Sequence, residues 1–124
     1  MNPTSQPPVA DRRDEIKHAL KRCKPEAVAA ALRFQETRSV TDVQPVILGL
    51  IEREMPEDST TDIATAPGET RLIEDLGLDS LGLMEAVMAA EEVFGITIEN
   101  QDLRRIATLE ELNGFVEAKL GTAA

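Results

Sequence analysis

Aliphatic residues recur at helical spacing through most of this 124-residue chain. Val43, Val46, Ile47, Leu50 and Ile51 lie at positions i, i+3, i+4, i+7 and i+8, which places them on one side of a helix. Trp and Tyr are absent and only three Phe are present, so the core must be built from aliphatic side chains. The pattern predicts an all-α protein, a small helical bundle rather than a β-sandwich.

The first third of the chain differs from the rest. Residues 1–10 are polar and contain three prolines, which predicts a disordered tail. Residues 11–39 predict an N-terminal helical extension, with one helix ending at Cys23 and a second running from Pro25 to about Glu36. The second helix would use the apolar residues around Val28 and Leu32.

Residues 40–121 predict the main bundle. Asp42 is the expected N-cap of its first helix, which ends before Pro56. A connection over 56–79 follows, and loops of this length are often functional. The next predicted helix runs from Asp79 or Ser80 to Phe94 and is stopped by Gly95. A short helical turn is predicted from Asn100 to Ile106. The last helix is predicted to start at a Thr108/Glu111 capping box and to stop at Gly121.

Charge is distributed unevenly. Residues 1–39 hold eight basic and five acidic residues, a sum of +3, whereas residues 40–124 hold five basic and eighteen acidic residues, a sum of −13. No basic residue lies between Arg71 and Arg104, but eight acidic residues do. Such a field repels nucleic acid and anionic membranes and attracts basic protein surfaces.

Several classes of protein fit poorly. Cys23 is the only cysteine, so no intramolecular disulfide can form. No apolar run approaches the roughly 20 residues of a membrane span, and the start of the chain lacks an apolar signal core. These features predict a cytoplasmic protein. His18 is the only histidine and lies in the N-terminal segment, which argues against a general base, and the acidic residues do not follow the spacing of a calcium loop.

The stretch from Asp75 to Leu81 places a serine at the start of a helix. Asp79 can cap that helix and interacts favourably with its positive end. The hydroxyl of Ser80 would then be exposed and held in one place. An isolated Asp-Ser pair is usually only a helix start, so the interpretation depends on the surrounding residues.

From Leu72 to Leu109 the chain resembles the acyl carrier protein family. The resemblance covers about 40 residues and keeps the spacing of that family. The matching residues are Glu74-Asp75-Leu76-Gly77, Asp79-Ser80-Leu81, Glu85, Val87-Met88-Ala89, Glu91-Glu92, Phe94, Ile98, Ile106 and Thr108. The resemblance implies a four-helix bundle with three longer helices and one short one, here preceded by an extra N-terminal helical segment.

The resemblance also implies a function. In this family the serine of Asp-Ser-Leu receives 4'-phosphopantetheine from coenzyme A, installed by a phosphopantetheinyl transferase, and the thiol of the arm carries acyl groups as thioesters. Ser80 is the implied attachment site, with Asp79 beside it. The chain would then be a monomeric carrier and not an enzyme. Its implied partners are the transferase and the enzymes that transfer, elongate or modify acyl chains, which have basic docking patches. These enzymes would belong to fatty-acid synthesis or to specialised lipid or polyketide synthesis.

The helix over 80–94 carries two apolar stripes. Leu83, Val87, Ala90 and Phe94 are expected to face the core. A neighbouring stripe is formed by Leu81, Met84 and Met88. This second stripe is either more core or, as the resemblance implies, an exposed contact for partner enzymes, for which flexible Met is well suited.

Three acidic residues of the same helix allow two interpretations. Glu85, Glu91 and Glu92 match family positions that meet basic patches on partner enzymes. Alternatively, they form an ordinary solvated face. The absence of Lys and Arg from this helix favours the first interpretation.

The chain departs from the family at several positions. Gly82 replaces a polar residue within the helix, at a cost of about 1 kcal/mol against Ala. Arg104 and Arg105 interrupt a short helix that is usually acidic. Ala86 and Ala90 replace larger aliphatic residues, so the space beside them must be filled by cargo or by the N-terminal helices. We therefore expect a specialised carrier.

Two other functions fit parts of the sequence. An unmodified acidic helical module that binds a basic partner explains the charge but not the Asp-Ser-Leu context. A carrier of aminoacyl or aryl cargo explains both. The sequence alone does not identify the cargo, the pathway or the role of the N-terminal segment.

Overall fold

The computed structural model describes the backbone of residues 9–122 and the side chains of residues 12–121. Within these residues the regular structure is helical, and the one β-bridge pairs Arg71 with Thr108. The helices are α1 (Val9–Ala19), α2 (Pro25–Thr37), α3 (Val43–Glu54), α4 (Ser80–Phe94), α5 (Asn100–Leu103) and α6 (Leu109–Thr122), with 3-10 turns at Val40–Asp42 and Ile63–Thr65. The predicted all-α bundle is confirmed.

Helix α3 lies at the centre of the bundle, because α2, α4 and α6 all pack against it. The apolar stripe that predicted this helix is buried as expected. Val43, Val46, Ile47, Leu50 and Ile51 are each at most 1% exposed. The helical period of the sequence therefore fixes which side of α3 faces the core.

The N-terminal segment is part of this core. Ile16 and Leu20, in α1 and just after it, are buried in one apolar cluster with the residues of α3 and α4. Helix α1 contacts both α2 and α4. It begins at Val9, so two residues of the expected tail are helical, and it ends at Ala19, before a turn in which Arg22 has φ +69°. Residues 1–8 lie outside the described part of the chain.

Helix α2 packs on α3 with a face different from the expected one. Ala27, Ala30, Ala31 and Phe34 are buried, whereas Val28 and Leu32 are only half-buried. The small side chains bring the two helix backbones close together. A methyl group on Gly49 of α3 would collide with the Cβ of Ala27, so this crossing needs a glycine.

The expected cap at Asp42 is not formed by its side chain. A 3-10 turn precedes α3, and the carboxylate of Asp42 instead accepts hydrogen bonds from the guanidinium of Arg33 at 3.0 and 3.2 Å. Asp42 is buried, with only 8% of its surface exposed. A charged partner on α2 satisfies it better than a backbone N–H would.

The boundaries of α4 and the start of α6 agree with the predictions. Gly95 ends α4 in the left-handed conformation, with φ +68°. At the start of α6, Thr108 Oγ1 accepts from the N–H of Glu111, whose carboxylate accepts from the N–H of Thr108. Helix α6 continues through Gly121, which does not stop it.

The close contact between α2 and α3 makes a testable prediction. Gly49→Ala should lower the free energy of unfolding by about 1–3 kcal/mol, because the added methyl group overpacks the crossing. Gly114→Ala is the matched control. Gly114 lies in α6 with open space around it, so the same substitution there should stabilise by up to about 1 kcal/mol.

Urea unfolding followed by circular dichroism measures both effects. Adding Ala27→Gly to Gly49→Ala should recover part of the loss, since it removes the atom that collides. If Gly49→Ala stabilises the protein as Gly114→Ala does, α2 does not pack on α3 in solution.

Candidate functional site

A tight loop before α4 positions the Asp-Ser-Leu sequence. Leu72, Leu76 and Leu78 are buried, and they fix the loop to the bundle. Ile73, the other apolar residue of this loop between Leu72 and Leu78, is 45% exposed. The loop turns at Gly77, whose φ of +82° favours glycine.

Backbone and carboxylate hydrogen bonds hold the same loop. The N–H of Leu72 donates to the carbonyl of Ala107 at 2.8 Å, which ties the loop to the start of α6. Asp75 accepts from the backbone N–H of Arg71 at 2.8 Å and pairs with its guanidinium at 3.4 Å. These bonds, above all the one from the backbone N–H, lower the pKa of Asp75, so the loop contact is kept at neutral pH.

Asp79 caps α4 as the sequence predicts. Its Oδ1 accepts from the N–H of Gly82 at 2.7 Å, which satisfies one of the free donors in the first turn. Ser80 is then the first helical residue, and it is exposed. The hydroxyl of Ser80 thus lies at the positive end of a 15-residue helix, a favourable environment for a phosphate.

The glycine after Leu81 has a structural reason. A methyl group on Gly82 would lie 3.1 Å from Asp79 Oδ1 and 3.3 Å from the Cβ of Glu54, so Ala would crowd both. Gly82 is itself buried. The glycine therefore lets the end of α3 pack directly under the first turn of α4, which offsets its low helix propensity.

Glu54 belongs to a part-buried ion pair. Its carboxylate lies 2.9 Å from the Nε of Arg53, and the two side chains are 9% and 6% exposed. The same guanidinium donates to the carbonyls of Ala19 and Lys21 at 2.8 and 3.2 Å. Arg53 thus caps the C-terminal end of α1 and holds it beside the start of α4.

The two apolar stripes of α4 have different environments. Val87, Ala90 and Phe94 are buried as predicted, and Leu83 is half-buried. The second stripe points outward: Leu81 is 67%, Met84 38% and Met88 59% exposed. These three residues, the apolar strip, begin beside Ser80 and run about 12 Å along the helix, as the rise of 1.5 Å per residue requires.

The three acidic residues of α4 are not equivalent. Glu85 is exposed beside the apolar strip. Glu91 is half-buried and accepts from the N–H of Ile98 at 2.7 Å, so it holds the loop after α4. Glu92 pairs with the guanidinium of Arg12 on α1 at 2.9 Å, and Arg12 also donates to the backbone carbonyl of Glu92.

The N-terminal helices fill the space beside the small residues of α4. Ala86 and Ala90 are each 1% exposed and share one apolar cluster with Ile16, Leu20 and Phe34. Phe34 meets Phe94 edge to face, with ring centroids 5.0 Å apart. The alanines thus accommodate the N-terminal extension, mainly through Ile16, Leu20 and Phe34, while Val28 and Leu32 pack half-buried against the same cluster.

The thiol of Cys23 is protected rather than activated. Cys23 is half-buried, and its Sγ lies 3.6 Å from the carbonyl oxygen of Gly49. Burial is the main cause that raises the pKa of this thiol, which disfavours the nucleophilic thiolate. His18 lies at the surface of α1.

Two further features concern the rest of the described chain. Among residues 9–122 no helix is long and apolar enough to cross a membrane, and no group of three potential ligands is arranged to hold a metal ion.

Arg104 and Arg105 are exposed and follow α5, which ends at Leu103. They therefore do not interrupt that helix.

Sequence reasoning missed the contributions of Arg12, Arg53 and Glu54. All three act through contacts between segments far apart in the chain. The unusual glycine at position 82 was the available signal, because a buried glycine within a helix indicates a close approach by another segment.

A family profile described as "Phosphopantetheine attachment site" matches residues 47–116, more than half of the chain. The acyl carrier protein of Exiguobacterium sp. is 36% identical over 74 residues, which cover 60% of this chain and 94% of that protein. The acyl carrier protein of Solidesulfovibrio magneticus is 38% identical over 60 residues, or 48% of this chain and 77% of that protein.

A third relative aligns over a shorter region. The acyl carrier protein of Thermotoga maritima is 43% identical over 53 residues, which cover 43% of this chain and 65% of that protein. All three relatives share a name, and the matched profile contains the loop, Ser80 and the whole of α4. The chain therefore belongs to the acyl carrier protein family, whose members carry covalently attached 4'-phosphopantetheine.

Proposed function

We propose that this acyl carrier holds its 4'-phosphopantetheine on Ser80 and delivers acyl thioesters to enzymes of fatty-acid synthesis or of a specialised lipid or polyketide pathway. The observation that carries the proposal is the exposed hydroxyl of Ser80 at the first residue of α4, directly after the capping Asp79. The names of the relatives support acyl cargo over aminoacyl or aryl cargo.

The residues around Ser80 fit the group. Attachment needs a hydroxyl that a second enzyme can reach, and Ser80 is exposed. The phosphate that results is stabilised by the N-terminal end of α4. Once bound, the arm supplies a thiol on which acyl groups are held as thioesters. The protein's own part is to present Ser80, to hold the loop still and to offer a docking surface.

Attachment is a substitution at phosphorus. The Ser80 oxygen forms a new bond to the phosphorus that bears the pantetheine, and the bond from that phosphorus to the bridging oxygen of the coenzyme A pyrophosphate breaks. The nucleotide bisphosphate leaves, and the hydroxyl proton passes to a base of the transferase. The Asp79 carboxylate is next to Ser80 in the chain and, besides capping α4, would supply an oxygen ligand to the divalent cation that accompanies the pyrophosphate.

The docking surface for partner enzymes is the apolar strip together with the acidic residues of α4. The exposure of Leu81, Met84 and Met88 supports this, because large apolar side chains left exposed in a row commonly mark an interaction site. Among the acidic residues Glu85 is the principal electrostatic contact, since Glu91 and Glu92 already have partners within the protein.

The first prediction concerns the attachment site. After incubation with coenzyme A, magnesium and a broad-specificity phosphopantetheinyl transferase, the intact mass should rise by one phosphopantetheine unit. Ser80→Ala should abolish this rise and leave the circular dichroism spectrum unchanged. Ser59→Ala, in the loop after α3, is the control and should be modified like the wild type. A mass increase in Ser80→Ala would refute the assignment.

The second prediction separates the two roles of Asp79. Asp79→Asn keeps an N-cap acceptor, so stability should change by only a few tenths of a kcal/mol, yet transfer should slow because the charge near the cation is lost. Asp79→Ala should slow transfer and also cost about 0.5–2 kcal/mol of stability. Unfolding curves and transfer rates are measured on the same samples. A wild-type rate in Asp79→Asn would limit Asp79 to capping.

The third prediction concerns electrostatic steering. Glu85→Lys should lower kcat/KM for transfer at low salt, and the difference should shrink as salt rises, because the Debye length is only about 8 Å at physiological ionic strength. Glu69→Lys makes the same change of charge in the exposed loop beside α6 and should have a much smaller effect. Equal effects of the two substitutions would indicate that only net charge matters.

A further inference from the structure

Helices α1 and α4 enclose an open groove beside the apolar strip. Its volume is about 840 Å³. Met88 and Ala89 contribute apolar surface from α4, next to the acidic side chains of Glu85 and Glu92. From the other side, α1 contributes Asp14, Glu15 and His18, and the turn after it contributes Lys21 and Arg22.

The charge of the groove changes along its length. On the α4 side, the charge of Glu92 is paired with Arg12, which leaves Glu85 as the acidic group near the strip. On the α1 side, Lys21 and Arg22 are both exposed. The acidic residues of α1 that line the groove, Asp14 and Glu15, lie toward its Arg12 end, where Glu15 pairs with Arg12 at 2.9 Å. Nearer the start of α4, the groove is therefore flanked by the acidic Glu85 and by Lys21 and Arg22, which form a basic edge in the turn after α1.

The basic edge is held in place relative to α4. Arg53, which is part-buried, donates to the carbonyls of Ala19 and Lys21, so the backbone of the turn that carries the basic residues is fixed. Arg12 attaches the other end of α1 to Glu92. A protein that docks on Met88 would encounter α1 at the same time.

We propose that α1 and α4 form one composite docking surface, suited to a partner enzyme whose apolar contact is flanked by a basic group facing Glu85 and an acidic group facing Lys21. The proposal rests on the function proposed above and specifies its partner. A docking patch that is basic throughout would meet like charge at the α1 edge, so the N-terminal extension selects against such partners.

The test uses a broad-specificity phosphopantetheinyl transferase with a basic docking patch as the probe. The readout is kcat/KM for modification of the full chain, with Ser80 modification verified by mass. Lys21→Glu should raise kcat/KM about three- to tenfold at low salt by removing repulsion, and the gain should vanish at high salt. Lys17→Glu is the matched control, because it makes the same change on α1 away from the groove, and it should change kcat/KM less than about twofold.

A second arm tests the acidic group expected on the partner. Basic residues of the transferase patch are replaced one at a time by Glu. At the position that faces α1, the replacement should raise kcat/KM for the wild-type chain and lower it for Lys21→Glu. The difference between the two changes measures the coupling between the two proteins.

The outcomes are distinct. Three results would overturn the composite surface and leave the carrier function intact. These are equal effects of Lys21→Glu and Lys17→Glu, a gain in kcat/KM that persists at high salt, and the absence of coupling at every patch position. A wild-type chain that no transferase modifies at Ser80 would overturn both proposals.

Discussion

The part-buried guanidinium of Arg53 joins the end of α3 to the end of α1, beside the first turn of α4. It pairs with Glu54 at 2.9 Å and donates to two carbonyls at the end of α1. Glu54 in turn packs under Gly82 in the first turn of α4. Removing Arg53 would leave the Glu54 carboxylate and both carbonyls without this donor. The pair therefore helps to position α1, and the close approach of Glu54 explains the glycine at 82 beside Ser80.

This arrangement divides the surface of α4 into a covered part and an open part. The N-terminal helices cover the side with Ala86 and Ala90, and small residues there allow the larger Phe34 and Leu20 to fill the core. The open part carries Ser80, Leu81, Met84 and Met88. The extension thus does two things at once: it completes the apolar core, and it places basic residues along one edge of the exposed side of α4.

Local sequence signals predicted the parts of the site that depend on neighbours in the chain. The Asp79 cap, the Gly95 stop and the Thr108/Glu111 pair each involve residues within three or four positions, and all three were predicted correctly. Contacts over longer separations were not predictable in this way. Arg53 binds carbonyls 32 and 34 residues earlier, and such acceptors exist at every residue, so no side-chain pattern identifies them. Likewise, nothing local distinguishes Glu91, bound to a loop, from the exposed Glu85.

The attachment of α1 is uneven along its length. At its C-terminal end Arg53 is only 6% exposed and makes three interactions in a shielded environment. Nearer its N-terminal end, Arg12 and Glu92 are 27% and 44% exposed, and exposed pairs of this kind contribute about 0–1 kcal/mol. Local opening therefore costs less at the Val9 end than at the turn after Ala19. An opening of that kind frees the carboxylate of Glu92 from Arg12, while Arg53 still fixes the backbone of the turn that carries Lys21. The unpaired negative charge on α4 therefore varies more readily than the position of the basic edge.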